Sequence, residues 1–347
     1  FGHLTANNIS YGHRFLGAQA ITLSDVATYE AQLESAHVIV SHVKRKDKIR
    51  AEMLQVAAQH KLTLVEDEGL LNEVAGLVEW PVLLVGEFDA SFLDLPPEVL
   101  VSEMRHHQKY FALKHADGTL SNRFVIVSNM ITDDGGKAVI HGNGRVLRAR
   151  LSDGAFFWNQ DRNRPLADWA KSLGGMVFHA ALGSVKEKAD RIAALAPLPA
   201  VFVPHANLIK VERAAQLCKA DLVCGMVGEF PDLQGIMGRY YALQQKEDAD
   251  VADAIRDHYK PIGAQDDTPR QPLGITVSLA DKFDSLVGLF AIDERPTGSK
   301  DPYALRRAAL GIIRTILDNE LRLPLRVAFD HAAAQYAAAL LKTSRAE

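Results

Sequence analysis

The sequence predicts an α+β fold in which a mixed domain precedes an almost entirely helical one. In the first half, short apolar runs bounded by turn residues alternate with helical patterns. From about residue 165 onward, apolar residues recur at helical spacing and strand patterns are missing. We therefore predict an α+β domain over residues 1–162 and a helical domain over residues 163–347.

Three strands are predicted in the first domain. Val82 to Val85 is a short apolar run that follows Pro81, which is typical of a buried strand. Lys109 to Lys114 and Arg123 to Met130 are predicted as two further strands. Because Asp117-Gly118 is a turn signal between these two segments, we expect them to pair as a hairpin.

Helices and loops are predicted from periodicity and end signals. Helical patterns in the first half cover Asp47 to His60, Pro97 to His106 and Arg145 to Asn159. In the second half, Asp301-Pro302 predicts the start of a helix, because Asp caps helices and Pro fits the first turn. The segments rich in Asp, Gly and Pro, at 262–272 and 294–300, are predicted to be loops.

Composition places the chain among ordinary globular proteins. Of its 347 residues, 48% are hydrophobic and 24% are charged. Cys218 and Cys224 are the only cysteines and form no Cys-x-x-Cys pair, which predicts a reduced, cytoplasmic protein without a cysteine zinc site. No signal peptide is visible, and no apolar run approaches the roughly 20 residues that cross a bilayer, so no membrane partner is expected. The first residue, Phe1, and the final Ser-Arg-Ala-Glu are interpreted as possible boundaries within a longer protein.

The charge pattern leaves room for local, but not general, binding of nucleic acid. A net charge of −4 argues against bulk electrostatic attraction to nucleic acid, but it allows a basic face. Lys44 to Arg50, Arg145 to Arg150 and Lys186 to Arg191 are locally basic. The first of these favours a solvated helix start. For the second, binding of RNA phosphate and a solvated helix face are equally consistent with the pattern.

Well-known catalytic motifs are missing from the sequence. There is no phosphate-binding loop of the type Gly-x-x-x-x-Gly-Lys-Ser/Thr. Gly142-Asn143-Gly144 lacks the third glycine of a dinucleotide-binding loop, and the pattern favours a turn or a helix start. We expect no catalytic residue in this chain.

A metal-dependent phosphohydrolase of the HD type is an alternative suggested by the helical half. His179, Asp221 and Asp281 follow the order of residue types that such a site uses to hold a divalent ion. However, none of the 13 histidines is followed by Asp, so the defining doublet is missing. We therefore interpret these residues as vestigial candidates and predict no metal site.

Two further basic segments have a functional and a structural interpretation. Arg105 to Phe111 is a dense run of polar and aromatic residues that could grip phosphates and stack on a base. The same run fits a helix C-terminus followed by a strand with an aromatic residue in the core. Arg306 and Arg307 follow a loop and could contact a partner or tRNA, or form ion pairs within the domain.

Several long blocks of this sequence resemble the β subunits of bacterial glycyl-tRNA synthetases. The blocks occur in family order and cover nearly the whole chain. They are Tyr11 to Phe15, Asn72 to Pro81, His107 to Phe111, Glu229 to Gly238, Ala280 to Gly288 and Pro296 to Ala309.

The resemblance implies a subunit of a hetero-oligomer, a heterotetramer of α and β chains. In this family the α subunit makes glycyl-adenylate from glycine and ATP with Mg²⁺, and the β subunit contributes binding of tRNA(Gly). The resemblance also implies a first domain like one in the phenylalanyl-tRNA synthetase β subunit, incomplete at its N-terminus, and a second, HD-like helical domain. The resemblance further implies that this chain lacks the family's C-terminal anticodon-binding domain. We therefore expect no cofactor, no DNA partner and no aminoacylation by this chain alone.

Charge and position, rather than a family motif, select the residues that we expect to contact tRNA. Two alternatives remain: a module that only holds the α subunit, and the HD-type hydrolase. The expected tRNA-binding residues are Arg105, His107, Lys109, Arg145, Arg148, Arg150, Arg306 and Arg307.

Overall fold

The computed structural model describes residues 2–3 and 7–343, and for 337–343 it describes the backbone only. Phe1 and the last four residues, on which the interpretation of the chain ends depended, lie outside the described residues. The chain divides into two compact units, Phe1–Phe156 and Phe157–Glu347. The predicted boundary between residues 162 and 163 lies a few residues after this division. Which known domain types the two units correspond to stays a prediction. The fold is mixed α+β and mostly helical, as the sequence predicts.

The first unit combines a four-stranded sheet, a small hairpin and helices. Its strands are β1 (Ile9–Tyr11), β2 (Ala20–Thr22), β3 (Thr63–Leu64), β4 (Val82–Glu87), β5 (Phe111–Lys114) and β6 (Leu120–Ser128). Its helices are α1 (Tyr29–Ser35), α2 (His42–Gln59), α3 (Glu68–Leu77), α4 (Pro97–Ser102) and α5 (Lys137–Asp161), of which the last extends into the second unit.

The sheet is antiparallel and has the strand order β3-β5-β6-β4. The predicted hairpin is confirmed: β5 pairs with β6, and Gly118 takes a positive φ of 88° in the turn between them. Strand β4 pairs with β6 from Val82 opposite Ser128 to Glu87 opposite Arg123. Helices α2 and α3 contribute Ile49, Met53, Leu70 and Val74 to the core against Phe111, Leu113 and Val125 of the sheet.

Helix α5 begins eight residues earlier than predicted. The sequence predicts its start at Arg145, with Gly142-Asn143-Gly144 as a turn or helix start, but that segment lies inside the helix. Tertiary contacts override the low helix propensity of glycine and asparagine. The Asn143 side chain donates to the Val139 carbonyl (2.8 Å) and accepts from the Tyr110 hydroxyl (2.5 Å), so its hydrogen bonds are satisfied within the helix.

The helix predicted from Pro97 to His106 is an α-helix in its first part and a π-helix in its second. Helix α4 ends at Ser102 and a π-helix follows over Glu103–Gln108. Lys109 then takes a left-handed backbone conformation (φ 58°), so strand β5 begins at Phe111 and not at Lys109 as predicted. Such local backbone conformations depend on tertiary context that propensity does not encode.

The second unit is a helical assembly with one short hairpin. The hairpin pairs β7 (Val177–His179) with β8 (Gly183–Ser184) and is an exception to the predicted all-helical second half. Its helices are α6 (Leu166–Ser172), α7 (Val185–Leu195), α8 (Pro197–Ala200), α9 (Leu208–Leu217), α10 (Gly225–Glu229), α11 (Ile236–Gln244), α12 (Ala249–Asp257), α13 (Pro272–Ala291), α14 (Leu305–Asp318) and α15 (Leu325–Thr343).

Helix α13 is buried along most of its length at the centre of this unit. The loops predicted around it are confirmed, except that Pro272 is the first residue of α13. The helix start predicted at Asp301-Pro302 is displaced, because α14 begins at Leu305. Asp301 still caps this helix, since its carboxylate accepts from the amides of Leu305 (2.8 Å) and Arg306 (2.9 Å). Over the described part of the chain, no helix combines the length and apolar character needed to cross a bilayer.

We predict that Gly86→Ala destabilises the first unit by about 1–3 kcal/mol. A Cβ atom at Gly86 would lie 2.4 Å from the ring of Phe124, which is fully buried and has no room to move. Gly76→Ala is the matched control: a Cβ atom there meets nothing within 4 Å, and alanine favours the helix by about 0.5–1 kcal/mol. Urea unfolding of both variants checks this, and equal stabilities would contradict the packing described here.

Candidate functional site

A groove in the first unit brings together side chains from α5, strand β4 and the end of α2. Its volume is about 660 Å³. Most of its polar lining is cationic or can become so. The residues that line it are His60, Val85, Glu87, Lys137, Ile140, His141, Gly144, Arg145 and Arg148.

The loop before α5 fixes where this helix begins. The Asp134 carboxylate accepts from the amides of Gly136 (3.0 Å) and Ala138 (2.7 Å), which satisfies orphan donors at the helix start. The Thr132 hydroxyl donates to the same carboxylate at 2.6 Å. These hydrogen bonds, with that of Thr132 the strongest, hold the pKa of Asp134 below its ordinary value. The capped start places Lys137 in the first turn.

Four cationic or titratable side chains of α5 share the face that lines the groove. Lys137, His141, Arg145 and Arg148 follow one another at intervals of four, four and three residues, which keeps them on one side of a helix. Because each residue rises 1.5 Å, the row extends over about 16 Å. An extended anion with several negative charges could therefore meet several cations at once.

The groove carries an excess of positive charge, because its one lining carboxylate is already paired. Glu87 accepts from Arg123 Nε at 2.6 Å, across the β4–β6 ladder. Arg123 also approaches His60, with 2.7 Å between its guanidinium and Nδ1. In contrast, within the described residues, the side chains of Lys137, Arg145 and Arg148 have no ion pair within 4.0 Å. Arg148 acts on Asp89 only at longer range, where it adds to the hydrogen bonds from Ser91 that lower the pKa of that carboxyl.

A buried hydrogen bond holds α5 against the sheet at the level of the groove. The Tyr110 hydroxyl donates to Asn143 Oδ1 at 2.5 Å, and the Tyr110 ring stacks on Phe124 at 4.9 Å between centroids. Burial raises the pKa of Tyr110 to about 12, so the phenol remains a donor. Gly144 follows Asn143 in the helix, and a Cβ atom added to Gly144 would lie 3.8 Å from the Glu87 carbonyl oxygen of β4. The helix and strand therefore approach closely here.

The other predicted tRNA contacts of the first unit do not line the groove. Arg105 forms an ion pair with Asp67, the residue before α3, and Lys109 with Glu73 in the middle of α3, each at 2.8 Å. His107 lies on the same π-helix and is exposed. Arg150 lies on α5, is half-buried and turns away from the groove lining. These residues are candidates that the structure does not place with Arg145 and Arg148.

Arg306 and Arg307 belong to the second unit, at the start of α14. Arg306 donates to the Thr297 carbonyl at 2.5 Å, whereas Arg307 is exposed. Of the six predicted residues in the first unit, only Arg145 and Arg148 line the groove. Sequence reasoning missed His60, Lys137 and His141. The spacing of Lys137 and His141 ahead of Arg145 would have revealed two of them if the helix had been predicted from residue 137.

The three vestigial metal candidates each have partners other than a metal ion. The Asp281 carboxylate accepts from Lys188 (2.8 Å) and Lys219 (2.7 Å). Among the described residues, no group of three or more His, Cys, Asp and Glu is arranged to hold a metal ion. Ammonium groups on both sides of Asp281 do not fit a divalent cation, because they occupy the directions from which a carboxylate binds metal.

His179 and Asp221 are likewise engaged elsewhere. His179 Nε2 lies 3.9 Å from the Glu294 carboxylate. Asp221 Oδ2 accepts from the amides of Gly235 (2.5 Å) and Gly238 (2.9 Å). Asp221 is fully buried, and burial raises its pKa to about 6 in spite of these hydrogen bonds.

Asp281 belongs to a buried ionic network that joins three helices of the second unit, α7, α13 and α15, and Lys219 in the turn after α9. Lys188 of α7 also binds Asp284 (3.0 Å), which accepts from Arg191 (2.7 Å) and from the Tyr336 hydroxyl of α15 (2.8 Å). Burial alone would raise the pKa of Asp281, but the ammonium groups of Lys188 and Lys219 outweigh burial and hold that pKa well below its usual range. The arrangement is that of a structural ion cluster.

Comparison with known proteins decides the family. A family profile described as "Glycyl-tRNA synthetase beta subunit" matches residues 1–346. The chain belongs to the glycyl-tRNA synthetase β-subunit family. It is 51% identical over 99% of its length to the glycine–tRNA ligase β subunit of Rhodospirillum centenum. The corresponding identities are 49% over 93% of the chain for Phenylobacterium zucineum and 48% over 94% for Paracoccus denitrificans.

The chain spans about half the length of these β subunits: 49%, 49% and 48% respectively. The resemblance drawn from the sequence blocks is therefore confirmed for the family. The basic groove belongs to the first unit of this β-subunit chain, and the ionic network belongs to the second.

We predict that Asp221→Asn removes a pH dependence of stability from the second unit. A folded-state pKa of about 6, above the ordinary 3.8, means that the protonated carboxyl is favoured by folding. The stabilisation is complete below about pH 4 and is lost as the pH rises through about 6. Relative to Asp221→Asn, the wild-type free energy of unfolding should therefore fall by roughly 2–3 kcal/mol between pH 4 and pH 7. Urea unfolding at several pH values measures this difference in the free energy of unfolding. If the free energies of the two proteins changed in parallel with pH, the raised pKa of Asp221 would be refuted.

Proposed function

We propose that this chain binds tRNA(Gly) in glycine–tRNA ligase and positions it for glycylation by the α subunit. The observation that carries the proposal is the row formed by Lys137, His141, Arg145 and Arg148. Three of these side chains have no ion pair among the described residues, and the Glu87 carboxylate beside them is neutralised by Arg123. A row of cations without carboxylate partners is suited to a polyanion.

The binding energy would come from phosphate contacts and release of counterions. Each phosphate that a cation neutralises frees condensed counterions, which makes affinity depend steeply on salt. The net charge of −4 means that attraction must come from this local surface and not from the chain as a whole. Duplex RNA hides its base edges in a deep groove, so the contacts would follow backbone shape more than sequence.

Positioning is the contribution that we propose for this chain, in which we expect no catalytic residue. The α subunit would use ATP and Mg²⁺ to form glycyl-adenylate, and this chain would hold the tRNA so that its 3′ end meets that intermediate. Holding two reactants together converts a bimolecular encounter into an effectively unimolecular step. We propose that the enzyme is a cytoplasmic heterotetramer, and that this chain alone does not aminoacylate tRNA.

The domain types remain part of the proposal. The first unit would correspond to a phenylalanyl-tRNA synthetase β-type domain, and the second to an HD-like domain that serves as a scaffold. Support for the scaffold role comes from Asp281, whose carboxylate lies between Lys188 and Lys219. A second function, as an assembly module for the α subunit, is supported by a different observation, the exposed apolar side chains Leu310, Ile313 and Leu317 on α14. The two functions are compatible.

Replacing Lys137, Arg145 and Arg148 together by Gln in the full-length β subunit should weaken tRNA binding without affecting the α active site. Removal of three phosphate-binding cations should reduce the slope of log affinity against log salt by about 2–3. Binding of tRNA by the α/β enzyme, titrated at several salt concentrations, measures this slope. Formation of glycyl-adenylate, measured by pyrophosphate exchange, should stay near the wild-type rate.

The matched control replaces Lys44, Lys46 and Arg50 by Gln. This variant has the same change of net charge in the same unit, but those side chains are paired with Glu30 or Glu68 on the surface. Its salt slope should match that of the wild type. If the groove variant also kept the wild-type affinity and slope, the groove would not be part of the tRNA-binding surface.

A further inference from the structure

The wall of the basic groove also contains a carboxylate and an imidazole. Glu87 belongs to strand β4, His60 follows the last residue of helix α2, and both line the groove together with Arg145 and Arg148. The Glu87 side chain is 56% exposed. A carboxylate repels phosphate, so its position beside a row of cations is unfavourable if the groove binds phosphates alone. A group that donates a hydrogen bond is the partner that such a carboxylate requires.

The hydrogen bond from Arg123 fixes the tautomer of His60. Arg123 Nη1 lies 2.7 Å from His60 Nδ1. Because a guanidinium has donors and no acceptor, Nδ1 accepts, and the ring proton lies on Nε2. His60 is therefore a neutral ring with one N–H donor. Among the described residues, no acceptor forms a hydrogen bond with Nε2.

The same guanidinium orients Glu87. Arg123 Nε donates to Glu87 Oε1 at 2.6 Å, and the two residues are opposite each other on β4 and β6. Within the part of the chain that the structure describes, the other carboxylate oxygen, Oε2, accepts no hydrogen bond. One planar, rigid group thus holds both the acceptor nitrogen of His60 and an oxygen of Glu87. The remaining donor of His60 and the remaining acceptor of Glu87 are therefore neighbours in the groove wall.

A donor next to an acceptor fits a hydroxyl group, which accepts one hydrogen bond and donates another. In the RNA backbone, phosphate and ring oxygens only accept, whereas the ribose 2′-hydroxyl does both. We propose that His60 and Glu87 bind a ribose 2′-hydroxyl of tRNA, to which Nε2–H donates and from which Glu87 Oε2 accepts. This inference rests on the proposed function, which places tRNA in the groove.

The cation row and this pair have different tasks in recognition. Cations attract phosphates of RNA and DNA alike, because the charge is the same in both. The 2′-hydroxyl is the backbone group that DNA lacks. His60 and Glu87 are therefore specificity-determining residues that select RNA, and Arg123 is the positioning residue that aligns them.

Interference mapping with 2′-deoxynucleotides tests the pair. Transcripts of tRNA(Gly) that carry single 2′-deoxynucleotides at random positions, each marked by a phosphorothioate, are bound by the full-length α/β enzyme. Iodine cleavage of the bound and unbound fractions then locates the positions at which the hydroxyl is needed. With the wild-type enzyme, the deoxy substitution at the contacted ribose should weaken binding by about threefold to tenfold, as expected for the loss of one or two hydrogen bonds.

His60→Asn should remove the interference at that ribose and preserve the fold. The Asn side-chain oxygen can replace Nδ1 as the acceptor for Arg123, but no donor remains at the position of Nε2. This variant should bind unmodified tRNA about threefold to tenfold more weakly, and the deoxy substitution should then have no further effect. Its melting temperature should stay near that of the wild type, which separates the loss of recognition from a loss of folding.

Glu87→Gln tests the other half of the pair. The Gln oxygen can still accept from Arg123, but an NH₂ group replaces the accepting Oε2. The loss of a negative charge favours phosphate binding, so the interference at the contacted ribose should weaken without a matching loss of total affinity. A merely structural role of Glu87 would leave the interference map unchanged.

His115→Asn is the matched control, because His115 is exposed in the turn between β5 and β6 and does not line the groove. Its interference map should equal that of the wild type. An unchanged map for either His60→Asn or Glu87→Gln would overturn the proposed pair, and the groove would then contact phosphates alone. If the variant of Lys137, Arg145 and Arg148 also bound tRNA as tightly as the wild type, the proposed function of the groove would fail with it.

Discussion

The hydrogen bond from Tyr110 to Asn143 determines where the basic groove lies. It joins strand β5 to helix α5 in a place where a Gly-Asn-Gly segment would otherwise favour a break in the helix. Because the helix continues through this segment, residues on both sides of it are in phase, and Lys137 lies on the same face as Arg148.

The two units use cations in opposite ways. In the second unit, Lys188, Lys219 and Arg191 are buried or nearly so and are paired with Asp281 or Asp284. Such groups are removed from solvent and stabilise only as a complete cluster, because breaking one pair leaves an uncompensated buried charge. Lys137, Arg145 and Arg148 of α5 are instead exposed to solvent, and among the described residues no carboxylate lies within 4.0 Å of their charged groups. Residue type alone does not separate these two roles, and the separation comes from burial and pairing.

The sequence predicted those parts of the fold that depend on local patterns. The Asp117-Gly118 turn signal between two predicted strands was sufficient for the β5–β6 hairpin, and apolar periodicity was sufficient for the mostly helical character of the second half. The errors occurred where tertiary contacts decide local structure. Within α5, the Gly-Asn-Gly segment contacts Tyr110, which is distant in sequence, and the π-helix at Glu103–Gln108 has no distinct propensity signal.

The candidate site was predicted only in part for the same reason. Arg145 and Arg148 were selected for their charge, and they line the groove. Arg105 and Lys109 were selected by the same criterion, but Asp67 and Glu73 pair with them, and no pattern within their own segment indicates those partners. His60 joins the groove from the end of α2, which is far from α5 in sequence. A site assembled from distant segments needs the fold before its members can be recognised.

The central claim is that tRNA lies along the cation row of α5, and site-directed photocrosslinking tests it most directly. A benzophenone amino acid would replace His141 in the full α/β enzyme, with replacement of Lys44 on the surface of α2 as the reference position. The account predicts that irradiation joins tRNA(Gly) to position 141 and not to position 44, and that excess unlabelled tRNA(Gly) competes. Efficient aminoacylation by the labelled enzyme with no crosslink from position 141 would contradict it.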